Sequence, residues 1–468
     1  MSISERELLR LYGGAVTAGN ATLFVGAGLS LDAGLPTWEA LLADMRQRAD
    51  IPPLLRDLPL VAQYIVQNVA GGREALESDI LHKLSSAGPR ESVGHGWLAE
   101  LPVDEIWTTN YDNLMERALP SATVIASDDD LKERQRPSRR RILKMHGSLS
   151  LAQPPSWRQP PVITRRDYEE YEASHPRLWA ALKAAYLTRS MLFLGFSFAD
   201  PNIELLLRLS RLLNAGASEH FTVLRRPSEP EQERMHELQV KDLERSGVAV
   251  YEIADFAELE PFLRRLLRRT RSQTLFVGGS DRDGSDISSV TRSLGHQLSA
   301  VNLSLASLAG PSAMRLSYAF GRALLAEQRY RADRVNFYFR RSSKPPPALE
   351  ERIGTAIYSA LDQDALYTSV VSSCRAALFI GGGDRTEAEI ATTRALGVPM
   401  VPLAMSGGAA QKAWSIMRLE DSGIAVEEHG SEHRDWELLA NSDKDVAVSA
   451  ALRLVQRAMF IESPAQPA

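Results

Sequence analysis

Apolar positions in this chain switch repeatedly between helical spacing and short continuous runs, and the switches predict its elements. Leucines and valines recur at helical spacing from Ser4 to about Ala18, and Thr22–Val25 is an apolar run that breaks into Gly26-Ala27-Gly28. The pattern predicts a helix, a buried strand and a glycine turn. Trp38–Met45 reads as a helix capped by Thr37, with Glu39 placed well for the helix dipole. Helical patterns continue over Leu54–Val69 and Arg73–Leu84, separated by Gly71-Gly72. The β-branched run from Ile106 ends in Thr108-Thr109-Asn110-Tyr111-Asp112, and Arg141–Met145 reads as a strand delivering His146. Pro154–Pro161 is a proline-rich connector, and Thr164–Tyr186 is predicted as a helix. Met191–Gly195 is a strand running into Phe196-Ser197, and Phe221–Leu224 and Val248–Glu252 complete an alternating β/α pattern to about residue 255.

Pro261–Arg271 reads PFLRRLLRRTR, a helix with a solvated basic face that links two domains. Beyond it the pattern restarts. Thr274–Val277 opens into Gly278-Gly279-Ser280, helices follow at Ile287–Leu298 and Arg315–Leu325, and Val335–Arg340 alternates as a strand. Ala376–Ile380 then runs into Gly381-Gly382-Gly383, a helix, and the strand Val398–Leu403. The expected fold is α/β: a Rossmann-like domain with a parallel sheet over residues 1–258, a basic linker helix over 259–272, and a smaller Rossmann-like domain over 273–468.

Composition narrows the function classes. A formal net charge of −5 and a pI near 6.1 argue against whole-chain affinity for nucleic acid or an acidic membrane. One cysteine, Cys374, excludes an intramolecular disulfide and any multi-cysteine zinc site. The N-terminus lacks a signal-peptide core and no apolar run reaches membrane-spanning length. The expectation is a cytoplasmic protein without zinc or other metal, whose partners are small molecules or copies of itself. Ser121–Arg141, with Asp128–Asp130 inside it, is strongly charged and reads as a solvated loop, the alternative being a flap over a pocket.

Open α/β sheets bind ligands at the carboxyl ends of their strands, where glycine turns let backbone N–H groups approach phosphate. Gly26, Ala27 and Gly28 are therefore the first phosphate-contact candidates, and Asn110 with its threonine neighbours can hydrogen-bond a sugar or a water. His146 ends a strand and precedes a glycine. In the second domain the turns at Gly278 and Gly381 would face one another across one crevice, suited to a nucleotide-type ligand.

Taken in order, GAGLSLDAGLP at Gly26–Pro36, TTNYD at Thr108–Asp112, HG at His146-Gly147 and GFS at Gly195–Ser197 resemble the NAD-binding domain of sirtuins. GGS at Gly278–Ser280 and GGG-x-x-T-x-x-E from Gly381 to Glu389 resemble the SLOG family of nucleotide sensors. The pairing is similar in layout to the effectors of Thoeris anti-phage systems. The resemblance implies an NAD hydrolase releasing nicotinamide and ADP-ribose, switched on when a cyclic ADP-ribose isomer made by a TIR-domain partner binds the SLOG domain, with NAD depletion aborting infection. It also implies a homotetramer at rest and higher assembly on activation. Asn110 would position the water or a ribose hydroxyl, and His146 would act as base or partner to the ribose. Gly26, Ala27, Gly28 and Ser30 would cradle the pyrophosphate, with Thr109, Asp112, Gly195 and Ser197 supporting ribose and loop; Asp112 could equally be a helix N-cap. The effector would meet Gly278, Gly279, Ser280, Arg340, Arg341, Lys344, Gly382, Gly383, Thr386 and Glu389. Protein-deacylating sirtuins carry a module with four zinc-binding cysteines, and this chain's single cysteine lies in the other domain, which disfavours deacylation. A zinc-free deacylase, a non-catalytic nucleotide sensor, and a SLOG-like domain that itself processes a nucleotide through Glu389 remain as alternatives.

Overall fold

A computed structural model describes residues 2–88, 90–131, 140–150, 155–212, 220–280, 287–341, 352–424 and 430–461. The chain divides into two compact units, Met1–Thr270 and Arg271–Ala468.

Unit 1 is built on a seven-stranded, wholly parallel sheet. Its strands are β1 (Ala21–Val25), β2 (Glu105–Thr108), β3 (Thr123–Ile125), β4 (Arg141–Lys144), β7 (Ser190–Leu194), β8 (His220–Arg225) and β9 (Val248–Ile253); β5 (Ser148–Ser150) and β6 (Ser156–Gln159) form a separate antiparallel hairpin. The order across the sheet is β3-β4-β2-β1-β7-β8-β9. All five residues of β1 are buried, as expected for a parallel strand covered on both faces. One core joins Phe24, Trp107, Leu143 and Phe193 to the helix Pro176–Thr188 through Leu178, Trp179 and Leu182. A second core belongs to the helices Trp38–Arg48, Leu58–Asn68 and Gly72–Ser86. It takes in Ala33 and Tyr111 from the segments after β1 and β2, Leu149 of β5 and Ile163 after β6, so this helical lobe sits against the strand ends.

Several elements depart from the sequence reading. The expected connector at 154–161 contains β6, whose Trp157 sits edge-on to Tyr111 at 5.4 Å and donates from Nε1 to Glu77 O. The helix expected over 164–186 is three pieces, Arg165–Glu169, Tyr171–Ser174 and Pro176–Thr188, the last break falling where Pro176 can start a helical turn but not sit inside one. The arginine-rich helix Leu259–Thr270 packs against the helices Glu5–Thr17 and Val93–Glu100 of unit 1. Phe262, Leu263, Leu266 and Leu267 are buried there; Arg265 pairs with Glu5 and Arg264 lies over the Trp97 ring, so part of its basic face is engaged rather than solvated.

Unit 2 holds six parallel strands, β10 (Thr274–Gly278), β11 (Ser304–Ser307), β12 (Val335–Arg340), β13 (Thr355–Ser359), β14 (Ala376–Ile380) and β15 (Met400–Leu403), in the order β13-β12-β11-β10-β14-β15. The chain runs outward from β10 on one side and from β14 on the other. That reversal leaves a crevice between the two strand ends. No helix among the described residues is long and apolar enough to cross a membrane.

Candidate active site

In unit 1 the strand order reverses between β1 and β7, and the two turns there meet backbone to backbone. Gly26 N donates to Leu194 O and Gly28 N to Gly195 O, both at 2.8 Å. Gly195 has φ +65°, and a Cβ on it would run into Leu29 N. The N–H groups of Gly26 and Gly28, expected to face a pyrophosphate, are therefore engaged by the β7 strand end. Ala27 begins the short 3-10 helix Ala27–Ala33 that carries Ser30.

A side-chain chain then runs along the carboxyl edge. Thr108 Oγ1 donates to Val25 O at 2.8 Å and accepts from Asn110 N at 3.0 Å, tying the end of β2 to β1. Asn110 Nδ2 donates to Ser30 Oγ at 3.1 Å, and Ser30 Oγ donates to Asp112 Oδ2 at 3.0 Å. Asp112 Oδ1 accepts from Leu114 N at 2.9 Å, so this carboxylate both caps the following turn and fixes Ser30. Thr109, next to Thr108, is half-buried; Ser197 is exposed, and its carbonyl accepts from Gln239.

His146 lies in register with Asn110: Thr108 pairs with Lys144, and each candidate residue stands two positions beyond. Both side chains are buried, and both Asn110 Oδ1 and His146 Nε2 lack a hydrogen-bond partner. Burial lowers the imidazole pKa; Asp200 opposes the shift, His175 adds to it and Asp167 opposes it. The ring is thus held neutral near pH 7, able to accept a proton. Tyr168 and Tyr171 meet it edge-on, at 5.1 and 6.1 Å between centroids. Asp200 Oδ2 lies 3.5 Å from His146 Nε2.

Three residues the sequence reading missed belong to this frame. Asp200 was not singled out in the sequence, although its position just past the β7 glycine turn was a usable signal. Lys144 is wholly buried, donating to Tyr111 O at 3.3 Å, to Asp112 O, and to Glu116 Oε1 at 2.7 Å. His95, buried on the helix Val93–Glu100, has Nδ1 2.7 Å from Ser92 Oγ, and burial lowers its pKa against the opposing pull of Asp112 and Asp32.

A model of the SIR2-like domain matches residues 104–244, from the start of β2 to the helix before β9. Over that span unit 1 is similar to SIR2-like domains. The chain is also 31% identical to the NAD(+) hydrolase ThsA of Enterococcus faecium, over 62% of this chain and 64% of that one. It is 31% identical to the ThsA NAD(+) hydrolase of Bacillus cereus, over 56% of each. Defense-associated sirtuin 2 of Bacillus subtilis is 27% identical over 42% of this chain and 20% of its own length. The chain thus spans about three fifths of the ThsA relatives it matches. Asn110, Asp112, His146, Gly195 and Ser197 all fall inside the matched span, whereas Gly26, Ala27, Gly28 and Ser30 precede it.

Unit 2 repeats the strand-end arrangement. Gly279 has φ +122°, and a Cβ there would run into Ile380 O, while Gly382 N donates to Ser280 O at 2.8 Å. Gly278 is the last residue of β10, and Gly383 precedes the helix Asp384–Ala395 that carries Thr386 and Glu389. Thr386 is buried directly beneath Gly382. Burial raises the Glu389 carboxyl pKa, and Arg385, paired with it at 3.2 Å, opposes the shift. Arg340 and Arg341 are exposed at the end of β12, two strands from β10; Lys344 lies outside the described residues. Arg315, on the helix Pro311–Ala326, donates to Ser288 Oγ at 2.6 Å, at the start of the helix Ser288–Ser299. It is a guanidinium at this edge that the sequence reading placed only as part of a helix.

Proposed function

We propose that unit 1 hydrolyses NAD to nicotinamide and ADP-ribose. The observation that supports this best is the placing of Asn110, whose buried Oδ1 lacks a hydrogen-bond partner, and of the buried His146 on adjacent strand ends beside the Ser30–Asp112 pair. Cleavage of the nicotinamide–ribose bond leaves an oxocarbenium-like ribose, which needs one oriented water and exclusion of other acceptors. Asn110 orients the ribose or the water. Neutral His146 takes the proton as the water oxygen bonds to the ribose carbon, and nicotinamide leaves with the electron pair of the broken bond. The ThsA relatives are named NAD(+) hydrolases, which favours this chemistry over deacylation.

Unit 2 is proposed to sense a cyclic ADP-ribose isomer through its paired glycine turns, with Arg340, Arg341 and Thr386 among the contacts. Such a ligand activates only by binding an active arrangement more tightly than a resting one. In this reading NAD loss serves anti-phage defence in the cytoplasm, in a self-associated assembly, with no metal required. The test is NAD consumption by the purified chain with and without a panel of cyclic ADP-ribose isomers. Turnover appearing with one isomer, and falling by about 100-fold or more in Asn110→Ala and in His146→Ala, is the expected result. Turnover unchanged in both variants would overturn it. Chelation with EDTA is expected to leave turnover intact; loss that zinc restores would overturn the metal-free reading.

A further inference from the structure

The loop after β7 does not stay over its own strand. It reaches past the ends of β1 and β2 to bring Asp200 against His146, which follows β4. Asp200 opens the helix Pro201–Leu212, and its Oδ1 accepts from Asn202 N at 2.9 Å and Ile203 N at 3.3 Å. With one carboxylate oxygen fixed by the helix N-terminus, the other has a fixed direction, and it faces His146 Nε2. Side-chain exposure is 10% for Asp200 and 3% for His146, so water competes little for the contact.

We propose that Asp200 is a positioning residue for His146: its carboxylate holds the imidazole proton on Nε2 and so leaves the Nδ1 lone pair to accept the proton of the attacking water. A neutral imidazole carries one N–H, and the nitrogen that does not donate is the base. The 3.5 Å separation is slightly long for a hydrogen bond, and between two groups so little exposed the negative carboxylate still favours the proton on the nitrogen that it faces. The other groups around the ring do not supply this function. Tyr168 and Tyr171 meet the ring edge-on, and the Tyr171 hydroxyl donates to Met145 O at 3.0 Å. His175 and Asp167 act on the imidazole only through the field, whereas Asp200 is the carboxylate in contact with Nε2.

The inference rests on reading His146 as the base, and its test is separable from that reading. Asp200→Asn removes the charge but keeps a side chain as good at capping a helix, so the fold is retained. The full chain, with its nine histidines labelled with ¹⁵N, gives the tautomer of each ring from long-range ¹⁵N–¹H spectra; His146 is the resonance missing in His146→Gln. The Nε2–H tautomer in the unsubstituted chain, shifting toward Nδ1–H in Asp200→Asn, is the expected result. In turnover the same variant is expected to lose about 10- to 100-fold in kcat with little change in KM. A His146 ring already in the Nδ1–H form, or a tautomer insensitive to Asp200→Asn, would sink the proposal. Absence of NAD turnover in the unsubstituted chain under every condition would instead remove the hydrolase reading, with the tautomer still decided by the spectra.

Discussion

Lys144 is a cation with no exposed surface, and all its donors are spent on holding the loop that carries Asp112. Replacing it with methionine leaves two carbonyls and the Glu116 carboxylate without their cation. Lys144→Met is therefore expected to cost about 3 kcal/mol of stability, measured as a lowered urea midpoint. A midpoint within error of the parent would show that the loop does not depend on the ammonium. In the sequence, Lys144 is a polar break between Leu143 and Met145, and nothing in that pattern tells an outward lysine from a buried one. Ser30, Asn110 and Asp112 were legible because each follows an apolar run that ends in small or polar residues, and the structure joins them in one hydrogen-bonded chain. Asp200 was not, because the local chemistry of a cap is the same whether or not its second oxygen faces a histidine from another strand.

At the scale of elements, strands rich in apolar and β-branched residues were readable wherever they lie in the sheet, the edge strands β9 and β15 included, whereas β3, β11 and β13 were not. β1, β7 and β14 are continuous apolar runs buried along most or all of their length. β11, with the sequence SLAS, lies between β10 and β12 yet carries small polar residues without β-branching, so its strand character comes from its neighbours rather than its own propensity. β6 was hidden by flanking prolines. The glycine turns were legible as turns, but their packing was not: Gly195 is needed because its left-handed backbone lies against Leu29 N. Gly195→Ala is expected to destabilise unit 1 by about 2 kcal/mol or more and to lower NAD turnover by disturbing the Ser30 helix. Unchanged melting and turnover would show that the two turns can separate at little cost.

Across the whole molecule, unit 1 holds most of the buried histidines. Burial lowers the pKa of His95, His146 and His175, and takes His220 from 6.5 down to about 4. His220 stacks on Tyr186 at 4.1 Å and accepts from Met191 N at 3.3 Å. For such groups the unfolded chain binds protons that the folded one refuses. For His220 the stability present above pH 6.5 is then lost as pH falls toward 4, by up to about 1.4 kcal/mol per pH unit, and the other three act in the same direction. The two described histidines of unit 2, His296 and His433, are exposed. Tryptophan fluorescence, with five of the seven tryptophans in unit 1, should therefore report a urea midpoint that falls between pH 6.5 and 5. His220→Gln, which keeps an acceptor for Met191 N, is expected to flatten that slope, and a slope unaltered by it would assign the acid sensitivity elsewhere.

Both crevices have walls of main chain pressed on main chain, at Gly26, Gly28 and Gly195 in one unit and at Gly279 and Gly382 in the other. Side-chain substitution has little purchase on such a frame, because an added Cβ collides with backbone at Gly26, Gly28, Gly195 and Gly279, and with the buried Thr386 side chain at Gly382. Change of ligand must then come through residues on the rim, such as Ser30, Asn110 and Asp112 in unit 1 or Arg315 and Arg340 in unit 2. A library varied at those positions with the glycines left alone would sample new specificities, whereas one varied at the glycines would mostly sample unfolded protein.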